Sequence, residues 1–155
     1  MLVNYLKTHF GHLVEQGWGA FETSNLQKAE EYFLEILKHE DDPRMGVFEL
    51  VEAHNGMGAV SFEHKDFFEA QRYYNEARYI LDHFFKGEWP KELDWWDLHH
   101  RAAMRTLIGL GHVAKGRGDM REAKKFYSFL LKRDSEDELG VKQHLAVVEK
   151  DLRRG

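Results

Sequence analysis

Three times along the chain a glycine is followed twelve residues later by an alanine: Gly17 and Ala29, Gly58 and Ala70, Gly111 and Ala123. Four residues beyond each alanine stands an aromatic, Phe33, Tyr74 or Tyr127, and three residues before it an apolar side chain, Leu26, Phe67 or Met120. Asn25, Asp66 and Asp119 come immediately before those, and Ile36, Ala77 and Leu130 follow three residues after the aromatics. Six slots agreeing in three copies mark an internal repeat. A repeat constrains the fold more than any single motif, because each unit must bury its apolar face against the next.

The repeat reads as a pair of antiparallel helices joined by a tight turn. Asparagine and aspartate suit the turn and the start of the second helix. The glycine and alanine fall where two helix backbones cross closely, and the aromatic fills the space beside them. Ser24 with Gln27, Asp66 with Glu69 and Asp119 with Glu122 each resemble a capping box, Ser24 lying one residue off the slot of the other two. Only two prolines interrupt 155 residues rich in Ala, Leu, Glu, Lys and Arg, so the expected class is all-α.

The segments MGAVSFEHKDFFEAQRYYNEA and LGHVAKGRGDMREAKKFYSFLL resemble tetratricopeptide repeats, whose pattern is W-x2-L-G-x2-Y…A-x3-F…P. The leucine-glycine step is Met57-Gly58 and Leu110-Gly111, with Gln16-Gly17 a weaker version. Leu13, His54 and Leu107 hold the tryptophan slot, and the small Ala20, Ser61 and Ala114 hold the tyrosine slot. The proline slot is unfilled, Pro43 coming two residues late in the first copy. The resemblance implies a right-handed α-α superhelix of three helix pairs plus a C-terminal capping helix.

Successive glycines stand 41 and 53 residues apart, against 34 in the family. The first excess, around HEDDPRMG, reads as a longer following helix starting near Arg44. The second contains FFKGEWPKELDWWDLHH, where Gly87 and Pro90 mark a break and Asp94 with Asp97 open the next helix. After the third repeat, Ser135 and Glu138 form a candidate capping box, and Val141, Leu145, Val148 and Leu152 make one buried stripe. The expectation is seven helices in a single domain over 1–155. Its repeats cover about 10–43, 51–86 and 104–134, its insertion about 87–100, and its capping helix about 136–153.

In the family the first helix of each pair lines a concave groove that holds a peptide or partner segment. Carried over slot by slot, this implies a groove of Val14, Trp18 and Phe21, then Glu52, Asn55 and Phe62, then Arg105, Ile108, His112 and Lys115. One subset of the family clamps the C-terminal carboxylate of chaperones. At the clamp slots this chain has Val14, Trp18, Gly56, Arg105 and Gly109, of which only Arg105 fits, so chaperone-tail binding is not expected.

Charge is uneven. Residues 1–100 carry a balance of −10, residues 101–133 one of +7, and the whole chain −5. The basic third repeat would steer an acidic partner, or pair head to tail with the acidic half of another copy. Nucleic acid is disfavoured by the negative total and by the lack of a recognition-helix motif. Trp89, Trp95 and Trp96 cluster in the insertion, where they either anchor an interface or fold back to plug the gap that the extra residues open.

With no cysteine there is no disulfide, thiolate nucleophile or Cys-bound zinc. The opening MLVNYLKTHF lacks the features of a signal peptide, no apolar run approaches a membrane span, and the expected compartment is the cytoplasm. Ten histidines raise metal chemistry, and His9 with His12, or Asp97 with His100, stand three apart on a helical face. A helical di-iron site needs two Glu-x-x-His motifs, and His-Glu-x-x-His, phosphate loops and G-x-S-x-G are absent too. The expectation is a protein-binding adaptor with no catalysis, metal or cofactor. Its alternative is a module that forms a homodimer through the basic third repeat or the tryptophan-rich insertion.

Overall fold

The turn residues singled out by the repeat do begin helices. Asn25 Oδ1 accepts from the Lys28 N–H at 3.2 Å, Asp66 Oδ1 from Glu69 at 3.1 Å, and Asp119 Oδ1 from Glu122 at 3.1 Å. The same three residues also close the preceding helix, their own N–H groups bonding the carbonyls of Ala20, Ser61 and Ala114 at 2.9 Å. Between the two roles stands one residue of positive φ, Ser24 (64°), Lys65 (60°) or Gly118 (82°). A left-handed residue followed by a bond back to the last turn ends a helix sharply. One short connection therefore stops the first helix and starts the second. Ser24 is the left-handed residue and not the cap, which corrects the expected Ser24–Gln27 box.

The computed structural model describes residues 9–155, apart from the side chain of His9. Among the described residues the chain forms seven helices and no strand: α1 (His9–Glu22), α2 (Leu26–Lys38), α3 (Val47–Glu63), α4 (Phe67–Phe84), α5 (Leu98–Gly116), α6 (Met120–Arg133) and α7 (Val141–Arg154). None is long and apolar enough to cross a membrane. Two starts differ from expectation. The third helix begins at Val47 after Gly46, because Asp42 folds back on Arg44, accepting from its backbone N–H at 2.8 Å and pairing with its guanidinium. The last begins at Val141 and not near 136; Gly140 takes a φ of 66° and the Val141 N–H bonds Asp137 Oδ1 at 2.6 Å, so Ser135 and Glu138 form no cap. Asp97 caps α5 as read, accepting from His99 and His100.

Each helix packs on the next in the chain, and α3 also packs on both α1 and α5. The repeat residues hold this arrangement together. A Cβ placed on Gly17 would lie 2.6 Å from Cε1 of Phe33, and one on Gly56 would lie 2.3 Å from Cε2 of the same ring. Tyr74 is held likewise, with Gly58 against Cε2 (2.7 Å) and Gly109 against Cε1 (2.3 Å). Each ring thus rests one edge on the glycine of its own pair and the other on the glycine of the next pair. Gly111 meets Tyr127 in the same way, and beyond that ring lies the imidazole of His144 on α7, 5.7 Å away and 28° from parallel. Ala29, Ala70 and Ala123 are fully buried beside these rings.

The insertion folds back in its larger part. Trp89 packs at a tilt against Phe85 and edge to face against Phe129, and donates its indole N–H to Asp82. Leu93 is buried, and its N–H bonds the Arg133 carbonyl at 2.7 Å. Trp95 faces the Arg101 and Arg105 guanidinium groups, whereas Trp96 stays 63% exposed.

Candidate functional site

Where α1, α3 and α5 run side by side, a polar network lies beneath the surface. Glu52 is fully buried on α3. Its carboxylate accepts from the indole N–H of Trp18 (3.2 Å) on α1 and from Asn55 Nδ2 (2.9 Å), and it pairs with the Arg105 guanidinium on α5. Asn55 also donates to the Ala102 carbonyl at 2.9 Å, and its oxygen lies 2.7 Å from the Thr106 hydroxyl. Arg105 sits between two indoles, 4.7 Å from the centre of Trp18 and 5.3 Å from that of Trp95. A buried carboxylate is tolerable only when neutralised and fully hydrogen-bonded, and these three helices together supply the partners.

Above the network opens a cleft of about 360 Å³, lined by Trp18 and Phe21 of α1, Ala59, Phe62 and Glu63 of α3, Tyr74 of α4, and Arg105, Ile108, Gly109 and His112 of α5. Trp18 and Phe21 meet edge to face at 5.6 Å and form one wall. The glycine that admits the Tyr74 ring, Gly109, also leaves the floor without a side chain. Phe62 and His112 are shared with a neighbouring hollow of about 430 Å³, lined further by Lys115, Gly116, Met120 and His144.

Of the ten residues expected in the groove, Trp18, Phe21, Phe62, Arg105, Ile108 and His112 converge on the cleft and Lys115 lines the adjoining hollow. The other three need correction. Val14, Glu52 and Asn55 are fully buried, Val14 in the apolar core and the two polar residues in the network that α5 covers, so no ligand reaches them. Arg105 reaches the cleft with its charge already committed to Glu52. The groove slots carried over from the family do not include Ala59, Glu63, Tyr74 and Gly109 of the lining or Thr106 of the network. The spacing of Glu52 and Asn55 opposite Arg105 and Thr106 carries that signal only once α3 and α5 are known to touch.

His112 brings an imidazole to the cleft. Its Nδ1 lies 2.6 Å from the Tyr127 hydroxyl, and its ring centre lies 4.6 Å from that of His144. Burial, with His144 and Lys115 beside it, pushes His112 down to about 4. His144 is also lowered, by burial first and then by Lys115, with Asp137 opposing. The unfolded chain therefore binds protons below about 6.5 that the fold takes up only near pH 4. This stability is fully present above the unfolded value and is lost as pH falls through the window. Urea unfolding should show a decline from pH 7 to pH 4 that is weaker in His112→Phe. Discounted for partial exposure, the share of His112 is on the order of 2 kcal/mol.

Among the described residues no three histidine or acidic side chains converge as a metal site. Asp97 and His100 serve the α5 start, the His100 N–H bonding Asp97 and its Nδ1 accepting from Asp94 N–H. The His9 side chain of the other expected pair lies outside the described residues. Comparison with protein-family models, with curated protein sequences and with solved structures gives no match.

Proposed function

We propose that the chain is an adaptor of the tetratricopeptide kind, its helix pairs wound into a right-handed superhelix that holds a peptide or partner segment along α1, α3 and α5. It acts without chemistry of its own, in the cytoplasm. The observation that carries this reading is the apolar cleft to which the first helices of all three pairs contribute aromatic or aliphatic walls. Arg105 reaches it already paired with Glu52, which suits an apolar anchor side chain better than a carboxylate tail. Lys115, at the far end, is the group that would favour an acidic residue in the ligand.

Selection from a displayed peptide library, followed by titration of the winning sequence, tests the reading. Ala59 is partly exposed on the cleft wall, so Ala59→Lys fills the cleft without touching the core. The variant should bind at least about tenfold more weakly while keeping its helical signal. Failure to select any sequence, or equal affinity for both proteins, would remove the proposal.

The second reading is self-association. It draws on Arg121, Lys124, Lys125 and Lys132, which stay exposed along α6. A dimer that dissociates with salt in light scattering would favour it, and a monomer the adaptor.

A further inference from the structure

The loop that joins α6 to α7 and the tryptophan insertion enclose a second cavity, of about 280 Å³, away from the cleft. Carboxylates dominate its wall: Glu92 and Asp94 from the insertion, and Asp134, Glu136 and Glu138 from the loop. Asp134 is only 2% exposed, yet its Oδ2 has no hydrogen-bond partner, while the carboxylate also faces the backbone N–H groups of Asp137 and Glu138. A buried carboxylate oxygen without a donor is costly, and it calls for a cation or a hydrogen-bond donor. Arg133 lines the same cavity but is turned elsewhere, donating from Nε to the Pro90 carbonyl and from Nη1 to the Phe129 carbonyl.

The wall also contains Trp95 and the largely exposed Trp96. Indole faces attract planar cations, and Trp96 already lies 5.8 Å from the Arg101 guanidinium. A compact metal ion fits poorly, because among the described residues no three acidic or histidine side chains converge on one point. A guanidinium is broad and flat, carries five donors in a fixed fork, and can span separated carboxylates while stacking on an indole.

We propose that this cavity seats the guanidinium of an arginine side chain presented by a protein partner, with Asp134 at its base and Trp96 at its rim. Four further carboxylates surround the cavity, and the open indole gives the chain that carries the arginine a surface to lie on. The inference does not depend on the cleft, since no residue is common to the two.

The test is a titration of the intact protein with a capped Gly-Arg-Gly tripeptide, followed through backbone amide resonances. Shifts should concentrate at 92–96 and 134–138 and saturate with a Kd of order 1 mM. The citrulline counterpart, equal in shape but uncharged, should bind at least about tenfold more weakly. Asp134→Asn and Trp96→Ala should each lose about tenfold, and because Trp96 is exposed its variant separates recognition from folding. Equal binding of arginine and citrulline, shifts spread over other acidic surfaces, or unchanged affinity in Trp96→Ala would overturn the proposal. Saturation of the same amides by calcium or spermidine more tightly than by the arginine peptide would overturn it as well.

Discussion

Replacing Arg105 by methionine is expected to cost the fold about 3–5 kcal/mol, read as a lower urea midpoint at unchanged slope. Methionine keeps much of the stem that packs against Trp18 but leaves Glu52 as an uncompensated charge at full burial. The bonds from Trp18 and Asn55 remain, which places the loss near the lower end of that range. Adding Glu52→Gln to the Arg105→Met variant should return part of it, since a neutral amide is far cheaper to bury. Recovery stays incomplete because one end of the amide must then face a donor, Trp18 or Asn55. A single-variant loss below about 1 kcal/mol would mean that the pair behaves as an exposed ion pair and that the network does not tie α1, α3 and α5 together.

The paired change Gly58→Ala and Gly109→Ala should have an effect of similar size. Alanine in a helix interior is favoured over glycine by about 1 kcal/mol per site, so propensity alone predicts a more stable protein. Packing opposes it. The new methyl groups would lie 2.7 and 2.3 Å from opposite edges of Tyr74, and a ring blocked on both sides has nowhere to retreat. Overpacking costs about 1–3 kcal/mol per site, and with no direction of relief the pair should lose roughly 3 kcal/mol net. Gly19 is the control: it lies on the exposed side of α1, nothing approaches its added Cβ within 4 Å, and Gly19→Ala should gain up to about 1 kcal/mol. Stabilisation by both the paired change and the control would show that the glycines next to Tyr74 are not contact points.

These two regions also show what the sequence could reveal. Gly17, Gly58 and Gly111 were legible because their spacing to alanine and aromatic recurs within the chain, and packing of that kind leaves a periodic trace. Their partners Gly56 and Gly109 stand out in the sequence only as clamp slots that lack the clamp residues. Their part is to receive the ring of the preceding pair, a contact between repeats that periodicity inside one repeat does not contain. In the last pair His144 comes to the ring that would otherwise meet a following glycine, and nothing local announces that. Asp66 and Asp119 were recognisable as caps because helix starts are set by nearby residues. Ser135 and Glu138 matched the same pattern and failed, since Asp137 and a left-handed Gly140 start α7 five residues later than about 136.

The groove residues divide along the same line. The slots carried over from the resemblance pointed to the face of α1, α3 and α5 that carries Trp18, Phe21, Phe62, Ile108 and His112. They could not tell depth within that face. Val14, Glu52 and Asn55 share it but lie where neighbouring helices close over them, and burial of that kind depends on how closely α3 approaches α1 and α5. Charge composition misled in one respect. Arg105 is neutralised by Glu52, which takes one charge from the +7 of residues 101–133, whereas Arg101, Arg117 and Arg133 bond neutral carbonyl or amide oxygens, which fixes their place and leaves their charge.

The central claim is that recognition occurs in the cleft where the first helices of the three pairs meet. Its most direct test is a map of backbone and indole resonances during titration with a library-selected peptide. Binding in the cleft should shift Trp18, Phe21, Ala59, Phe62, Ile108 and His112, with the Trp18 indole N–H moving although its bond to Glu52 persists. Shifts confined to the outer faces of α2, α4 and α6, with the cleft resonances unmoved, would contradict it.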